Sequence, residues 1–220
     1  MRIKIKVNRV IKYLILSDLA FWSGWGLITP IFSIFIVERI EGGSVFVAGA
    51  AAGIYWILKS ALRIPIGLFL DKCLGEKDDY WFVTTGLFVA ALIPFGFIFA
   101  RTPAHIYALQ AIHAVAMAVS LSGWSAIFTR HIDKGKEATE WAISDTVCGI
   151  GIGITGLLGG WAVSRFGFDS VFITVGISGL IGALLLLSLK NDISGVFDQG
   201  FKINLKDIFN GEENEKSGTI

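Results

Sequence analysis

Six apolar runs divide the chain, at about 13–37, 44–70, 80–100, 104–129, 142–164 and 170–189. Each is long enough to cross about 30 Å of hydrocarbon as a helix rising about 1.5 Å per residue. The third, fourth and sixth runs contain no Lys, Arg, Asp or Glu. None alternates polar and apolar residues as the strands of an outer-membrane barrel do. The pattern therefore predicts an all-α membrane protein with six transmembrane helices over residues 13–190. A basic segment (1–12) precedes them, and a polar tail (191–220) follows as a cytoplasmic extension or the start of a linker. Within the tail, Val196 to Phe209 has the composition of a short surface helix. The first run is too long for a signal-peptide core, and no small-residue cleavage site closes it.

Composition agrees with this reading. Hydrophobic residues make up 54% of the 220 and charged residues 17%, with a mean hydropathy of +0.67. A soluble domain of this size does not hide so much apolar surface. The net charge of +1 offers nothing to nucleic acid. The two cysteines, Cys73 and Cys148, have neither disulfide nor metal spacing. No metal site, cofactor site or nucleophile–base pair is visible, so an enzyme is not expected. Gly151-Ile152-Gly153-Ile154-Thr155-Gly156 matches a dinucleotide-binding pattern but lies inside an apolar run, where no solvent-facing helix start exists. It reads as packing glycine. So do the four-residue pairs Gly49/Gly53, Gly149/Gly153 and Gly156/Gly160.

The distribution of charge predicts orientation. With the N-terminus inside, Arg2, Lys4, Lys6, Arg9, Lys12, Lys72, Lys77, Arg130, Lys134, Lys136 and the tail lysines are all cytoplasmic. The outside turns keep only Arg39, Arg101 and Arg165. That bias places both termini in the cytoplasm of a cell-membrane protein.

Polar residues inside the runs are the candidate chemistry, since each ionisable one costs about 2.5–3.5 kcal/mol at a helix centre. Lys59, Arg63, Gly67 and Asp71 recur every fourth residue along one face of the second run. Antiparallel spans bring Asp18 level with Arg63, which predicts an Asp18–Arg63 ion pair, with Lys59 deeper at a central cavity. Gln110 and His113 lie on the fourth run, His113 near the midplane, where its charge could couple to protons. Trp22 and Trp25 are too deep for an interfacial belt and are candidate cavity walls. Pro30 is expected to bend the first span.

The polar turn after the second run, Gly67-Leu68-Phe69-Leu70-Asp71-Lys72-Cys73-Leu74-Gly75-Glu76-Lys77, resembles the signature loop of the major facilitator superfamily, Gly-x-x-x-Asp-Arg-x-Gly-Arg-Lys. Gly67, Asp71 and Lys72 stand in place, with Lys for Arg, while Gly75 comes one residue late. Gly159-Gly160-Trp161, Arg165-Phe166-Gly167-Phe168 and Val171-Phe172 are similar to the family's passage from its fifth to its sixth helix. The Gln110 position commonly holds Arg there.

The resemblance implies one six-helix half of a twelve-helix transporter. It implies alternating access for a small solute, and a conformational latch at Gly67, Asp71 and Lys72 with Arg130 as partner. A homodimer, or a second half in a longer chain, would complete the bundle. The rival expectation is a non-transporting membrane partner or a degenerate half.

Overall fold

In a computed structural model of the chain, the described residues are 7–72 and 76–193. Arg2, Lys4, Lys6, the turn residues Cys73, Leu74 and Gly75, and the whole tail segment Val196–Phe209 lie outside them. Among the described residues every regular element is helical. In order they are α1 (Arg9–Ile28), a 3-10 turn (Thr29–Ile31), α2 (Phe32–Arg39), α3 (Val45–Lys72), α4 (Glu76–Phe99), α5 (Pro103–His131), α6 (Glu137–Leu187) and a short α7 (Lys190–Ile193).

Five helical stretches are long and apolar enough to cross a membrane, where six runs were expected. The difference lies in α6, which has 51 residues, about 76 Å at the α-helical rise. Its one non-helical residue is Gly167, at φ 79 and ψ 168, a backbone region open to glycine and strained for other residues. The expected turn Arg165–Asp169 is thus compressed to a single residue.

Contacts with α1 show that the chain reverses there. Along the first limb, Gly151 faces Leu19 and Ser23, and Gly159 faces Leu27, in the same chain direction as α1. Along the second limb, Ser178 Oγ donates to Ala20 O at 2.5 Å and Ser17 Oγ donates to Gly182 O at 2.9 Å, in the opposite direction. α1 lies between two antiparallel limbs of α6.

The first apolar run starts earlier than its hydropathy suggests, at Arg9, because Asn8 caps α1 by accepting from Ile11 N–H. Pro30 sits in the 3-10 turn that separates α1 from α2, so the expected bend is a local change of helix type. α4 and α5 form an antiparallel hairpin. Gly123 of α5 opposes Asp79 and Val83, Gly86 of α4 opposes Ala116 and Ser120, and Ser120 Oγ donates to Val83 O at 3.2 Å. α3 packs on α5 and, at one end, on α2.

The interior has two layers. One holds Ile11, Leu14, Phe21, Tyr80, Met117, Phe128 and Leu186. The other is built on Phe35, Phe97, Ile106 and Phe172; the Phe35 ring meets those of Phe97 and Phe172 edge to face, with the Phe35–Phe172 centroids 4.8 Å apart. Trp25 packs against both layers and so marks mid-depth in the bundle.

In lipid, helices gain nothing from expelling one another's apolar side chains. Close backbone approach and inter-helix hydrogen bonds hold them together instead. A Cβ at position 159 would lie 2.1 Å from Leu27 O, whereas one at 156 meets its nearest neighbour at 3.7 Å. Gly159→Ala is expected to destabilise the chain by about 1–3 kcal/mol. Gly156→Ala should leave it unchanged or raise its stability by up to about 1 kcal/mol through helix propensity. Thermal unfolding in detergent checks both.

Candidate functional site

α3 is the least covered of the membrane-length helices. Within its most apolar stretch 17% of residues are buried, against 44% to 61% in the other four. Four-residue spacing lines up Tyr55, Lys59, Arg63, Gly67 and Asp71 on it. Lys59 is nevertheless buried, at 6% exposure. Its Nζ sits 3.4 Å from the centroid of the Trp56 ring and 4.7 Å from that of Tyr55. Two aromatic faces near a cation contribute up to about 2 kcal/mol when water is excluded, against an insertion cost of about 2.5–3.5 kcal/mol. The rings offset most of that cost without a carboxylate. No ion pair to Lys59 occurs among the described residues.

The same aromatic group continues across to α5 and α1. The His113 ring lies between Tyr55, with centroids 4.7 Å apart and planes at 28°, and Trp25, at 4.3 Å and 10°. Among the described residues neither His113 nitrogen has a hydrogen-bond partner, nor do Gln110 Oε1 and Trp25 Nε1, and all are buried. Gln110 stands one turn from His113 on α5 and is 6% exposed. Side-chain polar atoms left unpaired at this depth cost about 1–3 kcal/mol each. Their concentration around one cation marks the centre of the site.

Lys59, His113, Gln110 and Trp25 are therefore sequence-derived candidates that the fold places around the aromatic group. Trp22 is not part of it: its ring meets Phe21 edge to face at 5.3 Å and packs on the core. The expected Asp18–Arg63 ion pair is not formed. Arg63 Nη2 donates to Ser125 Oγ of α5 at 3.2 Å. Among the described residues Asp18 forms no ion pair, and the helix that carries it packs on α6. α1 packs chiefly on α6, while α3 leans on α5.

Towards the ends of α3 and α5 lies a cleft of about 370 Å³ lined by Arg63, Gly67, Asp71, Ser122, Ser125 and Arg130 among others. Asp71 and Lys72 are exposed in the last turn of α3. The expected partnership of Arg130 with this turn is replaced by another. Arg130 Nη1 donates to Asp79 Oδ2 of α4, and the Asp79 side chain is 1% exposed. Beside that pair, His131 Nδ1 lies 3.6 Å from Glu76 Oε1, and Asn8 Nδ2 donates to His131 O at 2.6 Å.

Sequence reasoning missed Asp79, Tyr55 and Trp56. The available signals were an acid in the first turn of α4 opposite the last turn of its hairpin partner, and aromatics three and four residues before Lys59. In the loop beyond α5, outside the apolar stretches, Lys136 Nζ donates to Asp133 Oδ2 at 2.7 Å. That bond raises the Lys136 pKa above its ordinary value.

The buried Asp79 carboxylate makes the Arg130 pair structurally decisive. Arg130→Ala is expected to cost about 3 kcal/mol, the low end for breaking a buried pair, because Arg130 itself is part-exposed. Adding Asp79→Asn should recover part of that loss. Denaturation of the single and double variants in detergent measures the coupling.

Comparison with known proteins identifies the family. The family model described as Major Facilitator Superfamily matches residues 14–205. The chain is 28% identical over 192 residues to the multidrug resistance protein MdtH of Blochmanniella pennsylvanica (strain BPEN), a match covering 84% of this chain and 41% of that protein. The chain thus spans less than half the length of this relative. No solved structure matches significantly. With most of the chain matched to the family model, and with apolar helices of membrane length throughout, the protein belongs to the major facilitator superfamily.

Proposed function

We propose that the chain is one six-helix half of a secondary transporter that moves a small solute across the cell membrane by alternating access. Lys59 carries the reading: a cation at the middle of α3, capped by rings, beside unpaired polar atoms of α5 and α1. A cation in that position persists where it faces a cavity or a ligand. In this arrangement α6 crosses the membrane twice, with Gly167 at the outer surface, and both termini are cytoplasmic, in keeping with the basic inner segments. Lys59, Gln110, His113 and Trp25 contact the solute. Asp18 or His113 carries a coupling proton. Asp71 and Lys72 at the end of α3, near the Arg130–Asp79 pair, form the moving part of a cytoplasmic latch.

The open faces supply the missing half of the cavity. Gly49 and Gly53 on α3, and Gly149 and Gly153 on the first limb of α6, have nothing within 4 Å of a built Cβ. Elsewhere in the molecule the same kind of residue is used for close helix contact. These faces meet either a second copy, related by a two-fold axis along the membrane normal, or a second six-helix half.

Two outcomes are expected. In proteoliposomes, a panel of radiolabelled organic anions, cations and neutral sugars should include one that accumulates. Lys59→Ala and His113→Ala should each cut that uptake about tenfold or more, the scale of losing one buried contact. Uptake indifferent to both changes sinks the cavity assignment. In native membranes, cysteines placed at 53 and 153 should crosslink the chain to a second half. A species that stays monomeric favours a non-transporting partner instead.

A further inference from the structure

Lys59 and Arg63 lie one helical turn apart on α3, about 6 Å along its axis. Among the described residues neither is paired with a carboxylate. Among the described residues, the Lys59 ammonium meets the Trp56 and Tyr55 rings, and Arg63 donates to the Ser125 hydroxyl. The charged groups around them do not neutralise them. Among the described residues Asp18 forms no ion pair with either, and its helix packs on α6. Arg130 is already bonded to Asp79. Asp71 borders the same cleft as Arg63, but eight residues along the helix, about 12 Å away.

The result is a doubly cationic stretch inside an apolar helix. Cation–π contact offsets most of the cost for Lys59, yet its three N–H donors still lack an oxygen acceptor. Arg63 presents a planar fork suited to a carboxylate or another oxyanion.

The surroundings add shape to charge. Trp56 is 60% exposed, and its ring lies directly against the Lys59 ammonium. Tyr55 continues the aromatic wall, its ring stacked on His113. The cleft of about 370 Å³ opens beside Arg63, with Ser122 and Ser125 in its lining. Gln110 Oε1 and both His113 nitrogens, buried and without a partner among the described residues, offer polar atoms to a substituent on the far side of the ring.

We infer that the ligand of this site is a planar aromatic organic anion; the inference rests on the solute-binding reading above. Its acid group lies between Lys59 and Arg63, and its ring lies along Trp56 and Tyr55. An aliphatic acid of equal size loses the stacking, and an aromatic cation of equal size meets two like charges.

The test reads binding rather than transport, so that the two readings can fail separately. The full chain in phosphatidylcholine nanodiscs is dialysed to equilibrium against radiolabelled 2-naphthoate. Competitors are naphthalene-2-methylammonium and cyclohexanecarboxylate. Saturable binding is expected, with each competitor weaker by about tenfold or more. Lys59→Met and Arg63→Met should each weaken 2-naphthoate by about thirtyfold or more, the scale of removing one partner of a desolvated charge pair. Lys59→Arg keeps the cation and should bind at least about threefold more tightly than Lys59→Met, though its bulkier planar head is not equivalent to the ammonium.

Absence of binding by a folded chain overturns the inference, as does equal binding of the ammonium isostere or indifference to Lys59→Met. Loss of binding in Lys59→Arg as well as Lys59→Met, with both variants folded, also overturns it. Binding without uptake in proteoliposomes supports the ligand class and removes the transporter reading.

Discussion

The contact of α1 with the two limbs of α6 holds the remainder in place. At Gly26 and Gly159 the backbones come so close that a methyl group has no room: a Cβ on Gly26 would lie 2.9 Å from Ile152 O, and one on Gly159 would lie 2.1 Å from Leu27 O. Where lipid removes the usual advantage of burying apolar surface, such approach and the hydroxyl-to-carbonyl bonds of Ser17 and Ser178 supply the attraction. The Gly167 break lets one continuous stretch of helix fold back along both sides of α1. Trp25, carried on α1, then stands where both core layers meet, and the aromatic site forms against it.

A second consequence concerns the separation of rigid and uncovered parts. The α4–α5 hairpin is locked by small residues, by the Ser120–Val83 bond and by the Arg130–Asp79 pair at one end. α3 leans on this hairpin with little other support. Its most polar residues thus sit on the least covered of the membrane-length helices, between a fixed wall and an open face. That is a suitable place for a ligand and for a moving partner, since few packed contacts resist displacement there.

Much of the architecture was legible in the chain. The apolar runs predicted the membrane-length helices because backbone polar groups in lipid must be satisfied within the segment, which leaves the helix as the available form. The period of four through Lys59, Arg63, Gly67 and Asp71 predicted a polar face on α3. Lys59, Gln110 and His113 stood out because polar groups are costly at that depth. The helical rise suggested similar depths for Asp18 and Arg63, but depth does not say which way a side chain points around the helix axis.

Partners are what only tertiary structure decided. Arg130 bonds Asp79 rather than the Asp71–Lys72 turn because the α4–α5 hairpin brings the first turn of one helix to the last turn of the other. Arg63 meets Ser125 rather than Asp18 because α3 rests on α5 while α1 is held between the limbs of α6. Tyr55 and Trp56 became ligands of a cation only once Lys59 was folded back against them. Hydrophobic periodicity specifies that a segment is helical and how deep each residue lies, because both follow from a one-dimensional rise through a layered solvent. Rotation about the axis and the choice of neighbouring helix depend on inter-helix packing, a property of pairs of segments that no single run of sequence contains.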